Sequence, residues 1–111
     1  MATPVLVNGM TGVLATPINV SAGPCRVFDY SIYNAAAAAS YVSFYDSAIA
    51  PTVGTTVPKW QVGLNTLASA QLSLQDSAGL YFSLGLWIAA TTTSSGSSAP
   101  ASALAVSVGV N

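Results

Sequence analysis

The chain has 111 residues, of which 52% are apolar and only five are charged: Arg26, Asp29, Asp46, Lys59 and Asp76. One domain fits this length, and the apolar content excludes the low-hydrophobicity, high-charge class of disordered chains. Two basic residues cannot displace the counterions that nucleic-acid binding requires, and a formal charge of −1 gives little repulsion between copies.

Residues 1–24 pattern weakly and are read as an N-terminal arm or short strands. Val5-Leu6-Val7 and Gly12-Val13-Leu14 fit short strands on either side of an Asn8-Gly9 turn signal. Pro17 suits the start of an edge strand over residues 16–20, and Ala22-Gly23-Pro24 makes a turn. The start of the chain has neither a basic n-region nor an unbroken apolar run, so no signal peptide is expected. The most apolar window, residues 79–90, falls short of the roughly 20 residues a membrane helix needs, so no membrane partner is expected.

From residue 25 onward the pattern predicts a β-sandwich domain over 25–111. Arg26 to Asn34 alternates, with Phe28, Tyr30 and Ile32 on one face and Val27, Asp29, Ser31 and Tyr33 on the other. The alanine run 35–39 has high helix propensity, but it is too short to hold a helix alone and lies between strand-like segments. It reads as a small-residue hairpin loop. The chain is organised around the stretch that follows, residues 35–62. Tyr41 to Asp46 alternates with Val42 and Phe44 on one face, and Trp60 to Leu64 with Trp60, Val62 and Leu64 on one face. Between them a Gly and two Pro rule out both a continuous ladder and a helix, which gives strand, ordered loop, strand.

Ala70 to Gln75 is a further strand, with Leu72 and Leu74 facing inward, and Asp76-Ser77-Ala78-Gly79 turns the chain. One parity then runs through Leu80, Phe82 and Leu84 to Leu86, Ile88 and Ala90, broken at Gly85, where a bulge or bend would split a long strand in two. Residues 91–100 form a low-complexity surface loop, and Leu104, Val106, Val108 and Val110 alternate in a last strand. The sum is an all-β fold, a single antiparallel sandwich of about six to eight strands, without the amphipathic helices of a βαβ architecture. Val42, Phe44, Val62, Leu72, Phe82, Leu86, Ile88, Val106 and Val108 are its expected core.

Chemistry is scarce in this chain. There is no His and no Glu, so general acid–base work would fall to Asp29, Asp46 and Asp76, each at a strand–turn junction where Asp usually caps a turn. The single Cys25 forms no internal disulfide or zinc cluster; with no His to activate it, it reads as a small apolar strand residue. Asp and Asn are not spaced as in a calcium loop, and the glycines form no phosphate-binding loop. No catalytic residue, cofactor or metal site is expected, and enzyme is a poor reading. What remains is aromatic surface: Tyr33, Tyr41, Tyr45, Tyr81 and Trp87 lie on the parity opposite their strands' core residues. With Trp60 they are the candidate interface residues, because Tyr and Trp are enriched at hot spots.

The segments YVSFYDSAIAPTVGTTVPKWQV (41–62) and GLYFSLGLWIAATTTSSGSSAPASALAVSVGV (79–110) resemble a group of small β-sandwich virion proteins of tailed bacteriophages. Some of these are similar to the cement, or decoration, proteins that stud icosahedral heads. The most telling pieces are YDSAIAPTVGTTVP at 45–58 and the Gly85–Thr93 run with its Ser/Ala/Pro loop and final strand. The resemblance covers roughly residues 40–111; the first 24 residues match nothing in the group, and no catalytic residue is there to transfer. It implies a jelly-roll-like structural protein of the virion, made in the host cytoplasm, sitting on the capsid surface, bound to the major capsid protein and commonly a homotrimer. A second reading from the same resemblance is a tail- or fibre-associated binding module. A carbohydrate-recognising version would stack sugars on Trp60, Trp87 and the tyrosines, with Gln61 beside Trp60 as polar partner.

Overall fold

The computed structural model describes residues 6–73 and 79–110. They form nine strands: β1 (Leu6–Val13), β2 (Ile18–Ser21), β3 (Cys25–Tyr33), β4 (Ser40–Asp46), β5 (Trp60–Leu64), β6 (Ser69–Ser73), β7 (Leu80–Phe82), β8 (Leu86–Thr91) and β9 (Leu104–Val110). One sheet has the order β1-β9-β3-β6, with β7 also on β3; the other has the order β2-β8-β4-β5, and every pairing is antiparallel. Along one edge of β3, β6 pairs with Asp29 to Tyr33 and β7 with Cys25 to Val27. The two therefore act as one interrupted strand, and eight strand positions remain. The chain crosses between the sheets at β1–β2, β2–β3 and β3–β4, stays in one sheet from β4 to β5, and crosses again at β5–β6, β7–β8 and β8–β9. This gives a jelly roll, the all-β solution that buries one face of each sheet against the other. No helix among the described residues is long and apolar enough to cross a membrane.

Alternation predicts the core well. Val42, Phe44, Phe82, Leu86, Ile88, Val106 and Val108 are buried, and Val62 and Leu72 pack against them. Leu74 and the turn expected at 76–78 lie outside the described residues. The two sheets meet through contacts such as Tyr30 on Phe44, with ring centroids 5.4 Å apart and planes tilted by 45°. Trp60 closes the open edge between β5 and β3, donating its indole N–H to the Tyr30 hydroxyl at 3.3 Å.

Local reading and structure part in four places. Asn8-Gly9 makes no turn: β1 runs straight through it, with Asn8 opposite Val108 and Gly9 opposite Ser107. A full ladder to β9 outweighs a dipeptide preference. In β3 the pairing steps from Val27–Val110 to Asp29–Gly109, so Phe28 is an extra residue. This β-bulge reverses the parity upstream of it, placing Cys25 and Val27 in the core rather than Phe28. The alanine loop 34–39 is not a hairpin but an arch, because β3 and β4 belong to opposite sheets. Fully buried Asn34 holds it: Oδ1 accepts from the Ala36 N–H at 3.0 Å, and Nδ2 donates to the carbonyls of Ala38 and Asn65, each at 3.0 Å. Finally, Gly85 does divide the run into two strands, β7 and β8, but they lie in different sheets, so it marks a crossing rather than a bulge within one. Its φ is +150°, and a Cβ there would come within 2.9 Å of the Ser21 and Ser47 carbonyls, so only glycine fits.

Residues 6–21, expected as an arm or short strands, supply β1 and β2, one strand for each sheet.

Candidate functional site

The long β4–β5 connection leaves the Asp46 end of the sandwich and returns to it, yet it does not stay there. Thr52 to Thr56 coil into a turn: the Thr56 N–H donates to the Thr52 carbonyl at 2.8 Å, and the Thr52 N–H donates to Thr56 Oγ1 at 2.9 Å. Gly54, with φ +92°, packs where a Cβ would lie 3.1 Å from Ser97 Cβ. Ser97 belongs to the β8–β9 loop, which springs from the opposite end. The two loops thus meet over the outer face of β4, and the Lys59 N–H donates to the Phe44 carbonyl at 2.9 Å to restart β5.

Beneath their junction lies a cavity of about 420 Å³. Its floor is the outward parity of three strands: Ser43 and Tyr45 from β4, Gln61 from β5 and Thr91 from β8. Thr55, Thr56, Val57 and Pro58 form one wall, and Ser94, Ser95 and Gly96 the other. Gln61 ties floor to wall, its Nε2 donating to Ser43 Oγ at 2.9 Å and to the Ser94 carbonyl at 2.7 Å. Thr91 Oγ1 donates to the Thr93 carbonyl at 2.7 Å, which fixes the start of the second loop. No charged side chain lines the cavity.

Tyr45 is the notable member. It is only 3% exposed, and among the described residues its hydroxyl has no hydrogen-bond partner. Ser40 Oγ is the one described side-chain polar atom that is both sealed from solvent and unpartnered. The Tyr45 hydroxyl is therefore not sealed from solvent, and Tyr45 lines the cavity.

The six aromatic residues singled out from the sequence do not form one surface. Tyr41, Tyr45 and Trp87 share the outer face of the β2-β8-β4-β5 sheet, with Tyr45 directly across from Trp87. Tyr45 is buried there rather than displayed, because the two loops cover it. Tyr41 is half-buried against Gly63, where a Cβ would come within 3.0 Å of its ring. Tyr33 and Tyr81 stand exposed on the outer face of the other sheet, and Trp60 lies at the open edge on the inward parity. Gln61 and Trp60, neighbours in sequence, consequently face opposite sides of the sheet. Of the cavity's lining, Tyr45 and Gln61 were singled out by the sequence and the Ser and Thr residues were not, since Ser and Thr in loops carry no signal of their own until two loops converge.

A second feature occupies the end of the sandwich where β4 leaves and β7 crosses to β8. Asp46 accepts from the Leu84 N–H at 2.8 Å, the Ser83 N–H at 3.1 Å and the Ser83 hydroxyl at 3.2 Å, with Lys59 Nζ 3.9 Å away. Desolvation pushes this carboxyl up, but the three hydrogen bonds and the Lys59 charge outweigh it and hold Asp46 below the ordinary carboxylate range. Lys59 also donates to the Tyr81 carbonyl, and the Arg26 guanidinium lies 4.6 Å from the Tyr81 ring centre. Around these tied charges Ile49 (75%), Leu84 (53%) and Tyr81 (41%) remain exposed. Cys25 is buried in the core; burial pushes its thiol up, away from the thiolate a nucleophile needs. No group of three His, Cys, Asp or Glu side chains that could hold a metal ion occurs among the described residues.

No protein-family model, curated protein or solved structure matches this chain.

Proposed function

We propose that this protein is a non-catalytic assembly protein, a decoration protein that binds the outside of a phage capsid as a homotrimer and holds neighbouring subunits of the major capsid protein together. The observation that carries the reading is the exposed apolar end formed by Ile49, Tyr81 and Leu84, whose nearest charges, Asp46, Lys59 and Arg26, are already engaged within the fold. Apolar side chains gathered at one end of a chain with five charges favour burial against another protein surface. The group resemblance of residues 40–111 supplies the capsid as that surface. Contacts repeated over a lattice add by avidity, so each can be modest.

The test pairs sedimentation with binding to heads assembled without this protein. Wild type is expected to sediment as a trimer at micromolar concentration and to be retained on heads. Ile49→Asp with Leu84→Asp, two exposed positions, should keep the fold and abolish retention. A wild-type protein that is only monomeric and is not retained would refute the proposal.

A further inference from the structure

We propose that the roofed cavity on the outer face of β4 is a binding site for a neutral saccharide unit, with Tyr45, Ser43, Gln61 and Ser94 as its polar contacts. This site is separate from the apolar end and does not depend on the assembly reading. Its size, about 420 Å³, falls within the roughly 300–1,000 Å³ of small-molecule pockets. Its chemistry selects the class. With no lysine, arginine or carboxylate in the lining, nothing offsets the desolvation of an ionic ligand. A sugar hydroxyl both donates and accepts, and it needs partners able to do either.

The cavity offers such groups in unused form. Nε2 of Gln61 spends its two protons on Ser43 and Ser94, which fixes the amide and leaves Oε1 as an acceptor. Ser43 Oγ accepts from Gln61 and so retains its own proton for donation. The Tyr45 hydroxyl, on a side chain 3% exposed, is unpartnered among the described residues and abuts the cavity. With donor and acceptor both free of protein partners, this phenol can exchange solvent for a sugar hydroxyl without breaking a bond inside the fold. Val57 and Pro58 supply the apolar wall that the C–H face of a pyranose ring needs. Trp60, on the other side of the sheet, takes no part.

The experiment is titration of the isotopically labelled full chain with free galactose, glucose, mannose and N-acetylglucosamine in turn, followed by amide NMR. At least one sugar should give saturable shifts confined to the Gln61 side-chain amide and the backbone of residues 54–58 and 94–96, with millimolar affinity. Affinity should hold as salt rises from roughly 0.05 to 0.5 M, since no charge takes part. Tyr45→Phe, which keeps the ring, and Ser94→Ala should each weaken binding by about fivefold, the worth of one hydrogen bond, while Trp60→Phe leaves it unchanged. The inference is overturned if none of the four sugars gives saturable shifts up to about 0.1 M, if the shifts fall elsewhere, or if both variants bind like wild type. Tighter binding of a sugar phosphate would equally overturn it. Sedimentation of the same sample separates failure here from failure of the assembly reading.

Discussion

On the outer face of the β1-β9-β3-β6 sheet, Ser31, Tyr33 and Tyr81 stand in solvent. On the outer face of the opposite sheet, Ser43, Tyr45, Ala89 and Thr91 are buried. Both faces are written with the same polar-outward alternation. The difference lies in the connections: only the second sheet has a thirteen-residue β4–β5 loop, residues 47–59, that doubles back and meets the β8–β9 loop. Alternation specifies which side of a strand faces its partner sheet; it does not specify whether the other side meets water. A face roofed by loops becomes a cavity, and a bare one a docking surface or plain surface.

The largest test of this contrast sits between the sheets. Phe44, fully buried and packed at a tilt against Tyr30, should cost about 3–5 kcal/mol on Phe44→Ala, read from denaturant melts; a loss under about 1 kcal/mol would place it outside the core. Next come the two outer faces themselves. Tyr45→Ala should cost about 2–3 kcal/mol, the lower part of the core range because the roof can partly collapse, whereas Tyr33→Ala should stay within about 0.5 kcal/mol. Equal losses would erase the distinction between roofed and bare faces.

Gly54→Ala addresses the roof directly. A left-handed φ and a 3.1 Å approach to Ser97 should together cost about 1–2 kcal/mol and lift the loop, raising amide exchange at 94–97. Unchanged exchange would mean that the two loops do not lean on each other.

The smallest effect is that of pH. Because Asp46 titrates lower in the folded chain than in the unfolded one, the unfolded state takes up its proton first as the solution is acidified. The stabilisation is complete above the unfolded value of about 3.9 and is lost as pH falls through the folded value. Asp46→Asn should flatten that acid limb of the stability curve and leave the region near pH 7 with the same slope.

Much was written in the sequence. The period-two apolar runs in β4, β8 and β9 specify an all-β sandwich and most of its core, because burying a strand on one face demands alternate apolar residues however the strands are ordered. The near absence of titratable groups likewise narrows the available chemistry before any fold is known. Tertiary pairing decided the rest. The ladder to β9 carries β1 through Asn8-Gly9, and the bulge at Phe28 turns Cys25 and Val27 inward. Which sheet each strand joins makes the alanine loop and Gly85 into crossings rather than a hairpin and a bulge. The cavity belongs to this second kind of information: Ser43, Thr55 and Ser94 are far apart in the chain and individually unremarkable. They become one hydroxyl-lined site only because two loops from opposite ends of the sandwich pack over Tyr45, a long-range contact that no local pattern encodes.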